Sequence, residues 1–433
     1  QHVPVWHEAL QELGERDDLV VIGVTQEQHP DRCRLFAQWH GIDWPILWDP
    51  FNSLGVDRVP LTLGVDEHGI LRGDAFNPRH LGSKGGFTTL FLDQEYEAPQ
   101  TATYPVRPVL PPGESAGASQ MPWVLSKLLH PHTDQVTDQM IELLARWARR
   151  PEAPPYVHFN HGVALRMRHD SPQRRPTDFQ DALDAWTRAL IGNPGQYIWR
   201  RRIQQWGPRL DKPYSFYDWV DQARAAILER GEIPHPLSVR ISGAELAEGT
   251  KAVPNPPEAK NPDPDGKIPR DEAGRVRLDV AVVHHTGYAS GRWRVRPGTA
   301  RVHLTLNPDA KSEVHFEDEG GATEVWLELP EGWLHEGQRL QLRPAIGADF
   351  TSPRGVDFEI VPPEGHQGTA VLKGFVLYPV CVGETGTCTY LRQDFEVTLP
   401  EPPGSASPPD FGPPPGEGDG DAGTGDPGDD DGE

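Results

Sequence analysis

Alternating strand and helix character across residues 19–72 most constrains how this chain can fold. The stretch opens with the apolar run Leu19-Val-Val-Ile-Gly-Val24, continues into a polar segment that contains Trp39, and then reaches Ile46-Leu-Trp48. A short continuous apolar run is typical of a strand that is covered on both faces of a sheet. We therefore expect a central strand at 19–24, followed by a helix, in an α/β unit.

The same stretch resembles the thioredoxin-like redoxins of the TlpA and AhpC/TSA type. Pro45-Ile-Leu-Trp-Asp49 matches their "P-(I/V)-L-x-D" segment, and Val56-Asp-Arg-Val-Pro-Leu-Thr-Leu-Gly-Val-Asp-Glu-His-Gly69 matches "V-x-x-x-P-x-T-(F/L)-x-(V/I)-D-x-x-G". The resemblance implies thiol–disulfide chemistry at a Cys-x-x-Cys before the first helix, with a cis proline, here Pro60, beside it. Val3–Leu10 matches the part of that helix beyond the cysteines. Residues 1–95 are thus expected to form an incomplete thioredoxin-like fold that lacks its N-terminal strand and dithiol.

Cys33 falls in the helix expected after the first strand, and no second cysteine lies two or three residues away. Thioredoxin chemistry needs a thiolate of lowered pKa and a nearby resolving thiol. We interpret Cys33 as a bystander, and we expect the chain as given to be inactive as a disulfide reductase.

Composition excludes several classes of function. The chain has 433 residues and a net charge of −23, with 64 acidic against 41 basic residues. This balance disfavours nonspecific nucleic-acid binding, which depends on cationic groups. No phosphate-binding loop and no zinc-ligand spacing occurs, so no cofactor or metal is expected. No apolar run approaches the roughly 20 residues that span a bilayer.

The middle of the chain predicts a linker and then helices. Residues 96–120 are rich in Pro, Gly and Ser and are interpreted as a linker, and residues 121–231 as a helical region. Asp178 is expected to cap one helix, in which Ala182, Trp186 and Ala189 follow the spacing of the second half of a tetratricopeptide (TPR) repeat. Gly162 fits the first-helix glycine of that repeat. A TPR-like peptide groove and plain helical packing both remain open.

Residues 232–274 predict a second, Pro-rich linker. Within it, Asn261–Glu272 has the oxygen positions of an EF-hand calcium loop. Pro262, Pro264 and Pro269 remove backbone donors that brace such a loop, so a polar linker is the preferred interpretation.

From residue 275 the hydrophobic period switches to two, as in Val276, Leu278, Val280 and Val282. Such alternation with Gly, Pro and Asn turns predicts an antiparallel β-sandwich over residues 275–400. Residues 401–433 contain ten acids and no base and are expected to be a disordered acidic tail.

Tyr378-Pro-Val-Cys381 and Cys388, inside this β region, are similar to the N-terminal domain of the thiol:disulfide interchange protein DsbD. That immunoglobulin-like domain carries a "Y-x-x-C-x5-C" pair, whereas the spacing here is C-x6-C. The resemblance implies a hairpin with two cysteines, and Gly383 and Gly386 permit its tight turn. Cys381 and Cys388 are candidates for either a redox-active pair or a structural disulfide.

The sequence therefore predicts a multidomain α/β + α + β protein with two alternative functions. One is a thiol–disulfide oxidoreductase whose partners are protein thiols and disulfides and a membrane or soluble thiol reductant. The other is a redox-inactive adaptor that binds protein partners through its helical and β-sandwich regions. Both families that the chain resembles usually work outside the cytoplasm, where disulfides persist, so an extracytoplasmic location is expected.

Overall fold

A computed structural model of the chain shows several α-helices and several antiparallel β-sheets, a mixed α/β architecture. The structure describes residues 6–7, 10, 18–57, 59, 61–74, 86–99, 116–130, 133–209, 219–239, 241, 243, 252–253, 261–284, 298–309, 313–317, 323–336, 340–344, 351–383 and 386–399. Within these residues, no helix combines the length and the apolar character that crossing a bilayer requires. The predicted acidic tail, 401–433, lies outside them.

The first unit pairs two short strands in parallel. Strand β1 (Gly23–Thr25) lies beside β2 (Ile46–Trp48), with helix α1 (Pro30–His40) between them along the chain. Pro30 suits the first turn of α1, because a backbone N–H at that position would have no partner within the helix. Gly41 ends the helix in the left-handed region, at φ 59°. Strands β3 (Leu63–Val65) and β4 (Leu71–Asp74) form an antiparallel hairpin, and a π-helical turn follows at Thr88–Leu92.

The expectation that residues 19–24 form a strand covered on both faces is wrong. The strand is shorter, and Val20, Ile22 and Val24 are 75 %, 51 % and 39 % exposed. In the described part of the chain β1 has β2 as its single strand partner, and these three side chains stay open to solvent. The apolar run alone could not show whether both faces would be covered.

Six helices follow. Their bounds are α2 Ala116–Leu129, α3 Asp134–Ala148, α4 Pro155–His169, α5 Asp178–Gly192, α6 Tyr197–Gln204 and α7 Val220–Glu229. Helix α2 thus begins inside the stretch predicted as a linker. The helices share a core that includes Leu144, Phe159 and Trp186, and Phe51 of the first unit belongs to the same core. The first unit is therefore packed onto the helices.

Asp178 is not the N-cap of α5 that the sequence predicted. Thr177 holds that position, and Asp178 is the first helical residue. Its buried carboxylate instead pairs with Arg168 of α4, with Nη2 2.6 Å from Oδ1. The sequence could not distinguish an Asp that caps its own helix from one that pairs with a neighbouring helix, because Asp is favourable near a helix start in both cases.

The described residues from 252 onward contain two antiparallel sheets. The strands are β5 Ala252–Val253, β6 Val276–His284, β7 Ala300–Pro308, β8 Val314–Phe316, β9 Glu324–Glu328, β10 Leu334–Glu336, β11 Leu340–Gln341, β12 Arg343–Pro344, β13 Arg354–Val361, β14 Ala370–Val382 and β15 Cys388–Leu399. The first sheet has the order β5-β10-β13-β7-β6, with β12 also on β13. The second has the order β11-β9-β14-β15, with β8 also on β14. Strand β5 comes from the stretch predicted as a linker.

The first sheet lies between the helices and the second sheet. On one face, Val302 and Leu304 of β7 join Val376 and Val380 of β14 in one apolar core. On the other face, Ala281 and Val283 of β6 belong to the core of the helical region. Layers of this kind bury both faces of one sheet.

Candidate functional site

The two cysteines of the β region lie at the tip of the longest hairpin. Strands β14 and β15 pair over twelve positions, from Ala370 opposite Leu399 to Cys381 opposite Cys388. Gly383 has φ 71°, and a Cβ on Gly386 would overlap the carbonyl oxygen of Val382. Both glycines are therefore required by the way the chain turns next to the cysteines.

Cys381 and Cys388 form a disulfide, with an S–S distance of 1.97 Å and Cα atoms 4.0 Å apart. Their environments differ: Cys381 is 2 % exposed, whereas Cys388 is open to solvent. The inner strand β14 has a neighbour on each side at this level, while β15 is at the end of the sheet order. Cys388 is therefore the more accessible of the two cysteines to an incoming thiol.

A third strand places a histidine at the same level. His315 of β8 is directly opposite Cys381, on the side away from Cys388. Residues opposite each other in a sheet point to the same face, so the His315, Cys381 and Cys388 side chains form one row across three strands. Glu317, two residues after His315, follows on that face. One donor atom each of His315, Glu317 and Cys381 lies within 4.8 Å of the other two.

His315 and Glu317 were missed by reasoning from the sequence. A weak signal was present, because the apolar Val314 and Phe316 alternate with the polar His315 and Glu317, which is the pattern of a strand. What the sequence could not show is that this short strand pairs with the segment that contains Cys381.

Tyr378 lies on the opposite face of the sheet from the disulfide. It is fully buried in the core between the sheets, and its ring packs against Phe316 with the centroids 6.3 Å apart. Burial, followed by the charge of Asp271, raises the pKa of its phenol. Three residues along a strand change the face, so the Tyr378 of the DsbD-like pattern helps to pack the hairpin and is not adjacent to the sulfurs.

The loop that the sequence compared with an EF-hand packs along β15. Asp263 is buried and accepts hydrogen bonds from the backbone N–H groups of Lys267 and Ile268, and Arg392 pairs with it at 2.9 Å. Burial alone would raise the pKa of Asp263, but the hydrogen bonds from Arg392 and these amides outweigh it and lower the pKa. The carboxylate thus fastens the loop to the sheet.

Cys33 lacks the properties of a reactive thiol. It lies on α1 with Thr25 Oγ1 3.1 Å from its sulfur, and it is a free cysteine. Burial, and next the charge of Glu27, raise its pKa to about 12. A thiol with such a pKa is almost entirely protonated near neutral pH and is a poor nucleophile.

Pro60, the candidate cis proline, lies outside the described residues. Its neighbour Val59 is described and is 51 % exposed. The role that the redoxin resemblance gives to Pro60 therefore stays a prediction.

No protein-family model, no curated protein and no solved structure matches this chain. What Cys381 and Cys388 can do therefore has to follow from their own geometry and from the residue types around them. That geometry is a disulfide between one exposed and one buried cysteine, on the same face of the sheet as an imidazole and a carboxylate.

Proposed function

We propose that this protein takes part in thiol–disulfide exchange through Cys381 and Cys388. The observation that carries the proposal is the asymmetry of the disulfide, in which one cysteine is exposed at a hairpin tip and the other is buried. Together with the resemblances to redoxins and to the N-terminal domain of DsbD, this favours a thioredoxin-family oxidoreductase. On this view residues 1–95 belong to a thioredoxin-like fold, the helices to a TPR-like region and residues 275–400 to an immunoglobulin-like sandwich.

The exchange can be written with balanced bonds. A thiolate of a partner dithiol attacks the sulfur of the exposed Cys388, a bond forms between the two sulfurs, and the Cys381–Cys388 bond breaks. The electron pair goes to Cys381, whose thiolate takes up a proton. The partner's second thiol then attacks the mixed disulfide and releases Cys388 as a thiol. The partner is oxidised to a disulfide, and the pair in this chain is reduced to two thiols.

His315 supports the first step by its position. Its imidazole nitrogen lies within 4.8 Å of the Cys381 sulfur, which is the leaving group. A small shift brings the two within hydrogen-bond reach, so the imidazole can supply the proton that the leaving thiolate needs.

The β14–β15 hairpin stays folded when Cys381 and Cys388 are reduced. A disulfide that closes so short a loop contributes about 2 kcal/mol by restricting the unfolded chain. Eleven further pairs between β14 and β15, five pairs between β14 and β9 and the apolar core remain. The protein can therefore pass between the two oxidation states without losing its fold.

A redox titration tests the proposal. The full chain is equilibrated in dithiol buffers of graded potential, and the thiols are alkylated and counted by mass spectrometry. We expect a potential above about −300 mV, since structural disulfides in secreted proteins lie below that value. Cys33→Ser is the matched control and should leave the potential unchanged.

Trapping identifies the reactive sulfur. With Cys381→Ser, the remaining Cys388 should form a mixed disulfide with a small aromatic disulfide rapidly, whereas in Cys388→Ser the buried Cys381 should react at least about tenfold more slowly. A potential far below −300 mV, or equal trapping of both sulfurs, would overturn the proposal and leave a structural disulfide.

The adaptor function remains the alternative, and one observation favours it. Val20, Ile22 and Val24 expose an apolar row on the first unit, and Leu47 of the neighbouring strand extends it. Apolar patches of this kind mark contact surfaces for other proteins. If this row is such a surface, Ile22→Asp should lower binding of a hydrophobic fluorescent dye, and Ile191→Asp, at an isolated exposed position, should not. Unchanged dye binding in Ile22→Asp would remove this support.

A further inference from the structure

The row of side chains across β8, β14 and β15 has the composition of a metal site as well as of a redox site. In the described residues His315, Glu317 and Cys381 form a group whose donor atoms all lie within 4.8 Å of one another. Cys388 adds a second sulfur, which is bonded to that of Cys381. One imidazole, one carboxylate and two sulfurs thus meet on a single face of the sheet.

We propose that the reduced protein binds a zinc ion through Cys381, Cys388, His315 and Glu317, and that oxidation to the disulfide releases it. This inference rests on one part of the proposed function, namely that the pair can be reduced. It adds a ligand and a regulated state that thiol exchange by itself does not imply.

The donor set suits zinc better than other common metals. Two thiolates and an imidazole are the ligands of structural zinc sites, and a carboxylate oxygen is an accepted fourth ligand. Calcium and magnesium require a shell of oxygen ligands, which two sulfurs cannot provide. Four protein ligands would also close the tetrahedral coordination sphere, as in a structural site.

The distances are within reach of small side-chain movements. With Zn–S bonds of about 2.3 Å, two sulfurs in a tetrahedral site lie about 3.8 Å apart. Breaking the disulfide allows the two sulfurs to separate to about that distance, because non-bonded sulfur atoms repel at shorter range. The backbone need not move, since adjacent strands already hold Cys381 opposite both His315 and Cys388.

Zinc binding depends on oxidation because the oxidation state of the cysteines determines how strongly their sulfurs bind the ion. A disulfide sulfur carries no charge and is a weak ligand, whereas a thiolate binds zinc strongly. A dithiol reductant supplies two electrons and two protons to the disulfide and becomes a disulfide itself. Zinc then displaces the two protons from the thiols. In the reverse direction, an oxidant of the disulfide class re-forms the Cys381–Cys388 bond, and the ion leaves.

The direct test is metal binding to the full chain in both oxidation states. The protein is reduced under anaerobic conditions with a phosphine, free thiols are counted, and Zn²⁺ affinity is measured by competition with a chromophoric chelator. We expect one additional high-affinity ion per chain in the reduced protein compared with the oxidised protein. With Co²⁺ as a spectroscopic probe, thiolate-to-metal charge-transfer bands should develop in the reduced protein and be absent from the oxidised protein.

Two ligand variants keep both cysteines and so do not disturb the disulfide. His315→Ala and Glu317→Gln should each weaken binding to the reduced protein by at least about tenfold, since even the partners of zinc ligands matter to that extent. The matched controls are His130→Ala and Glu364→Gln, at exposed positions outside the row, which should bind like the unchanged protein.

The outcomes separate this inference from the exchange proposal. If the thiol count shows two thiols at positions 381 and 388 but zinc binds no more tightly than to the oxidised form, the metal site is overturned and exchange stands. The metal site is likewise overturned if both ligand variants bind like their controls. If the pair resists every dithiol buffer, both proposals fail together.

Discussion

Trp186 packs directly against Gly162: a Cβ on Gly162 would lie 2.5 Å from the indole Nε1 and 2.9 Å from the carbonyl oxygen of Ala182. Helices α4 and α5 therefore approach as closely as they do because position 162 has no side chain. The indole is fully buried at this crossing and belongs to the core shared by the helices.

Gly162→Ala is expected to destabilise the protein by about 1–2 kcal/mol. Overpacking at a tight contact costs about 1–3 kcal/mol, and the better helix propensity of alanine returns up to about 1 kcal/mol. Chemical denaturation measures the change. Gly195→Ala serves as control because a Cβ there meets only the Asn193 side chain, at 3.9 Å. A stabilised Gly162→Ala variant would contradict the observed helix approach.

Asp178→Ala is expected to cost about 3–5 kcal/mol. It leaves the guanidinium of Arg168 buried with only the partly exposed Asp138, which is 2.7 Å away, as a charged partner. Glu142→Ala is the comparison, because its pair with Arg149 has the same charges at 2.9 Å but lies on the surface. That change should cost less than about 1 kcal/mol. Equal losses in the two variants would show that burial does not govern the Arg168–Asp178 pair.

His303 should make stability depend on pH between about 4 and 6.5. Burial is the main cause that lowers its pKa from 6.5 to about 4, with Arg301 and Arg166 adding to this, while Asp357 and the hydrogen bond to the Trp206 carbonyl oxygen oppose it. The folded state therefore holds this ring neutral where the unfolded chain binds a proton. The free energy of unfolding should thus be highest above about pH 6.5 and fall as the pH drops towards 4.

Removing the ring should make that profile less steep, while His29, His161, His169 and His284, whose pKa values burial also lowers, keep part of the slope. Because one proton contributes at most about 1.4 kcal/mol per pH unit, His303→Gln should lower the slope of the free energy of unfolding by up to this amount. The glutamine keeps an N–H for the Trp206 carbonyl. The exposed His130→Gln should leave the slope as it is, and an unchanged slope in His303→Gln would contradict the buried neutral state.

Gly386→Ala is expected to displace the tip of the β14–β15 hairpin, because the added methyl group would overlap the Val382 carbonyl oxygen. The measurable result is a disulfide that is reduced at least about tenfold more easily, since strain at this turn acts on the Cys381–Cys388 bond. Gly195→Ala, where a Cβ meets only the Asn193 side chain at 3.9 Å, is the control for a glycine-to-alanine change that causes no overlap. An unaltered redox equilibrium would show that the turn does not constrain the pair.

The sequence predicted strands in the β region from their alternation, as in Val276, Leu278 and Val280, which alternate with Arg277 and Asp279 along β6. The alternation ends at Ala281 and Val283, because this end of β6 also faces the core of the helical region. The segment 252–253 could not be recognised as a strand, since two residues carry no period and its pairing with β10 depends on the rest of the sheet.

The candidate site was only half visible in the sequence. Cys381 and Cys388 stand close together along the chain, and the glycines between them indicate a turn. His315 comes from a distant three-residue strand, and its place opposite Cys381 is set by the register of two strands in a sheet. Register depends on how all the strands pack, so local patterns do not reveal it.

The length of the β14–β15 hairpin has a consequence for how its oxidation state can be detected. The disulfide is the last of twelve paired positions, and the other eleven are held by the ladder and the core beneath it. Opening the bond therefore changes the chemistry of one corner of the sheet and leaves the outline of the protein as it was. A partner that distinguishes the two states must therefore contact the sulfur atoms, or the ion proposed to bind to them, because the surrounding surface changes little.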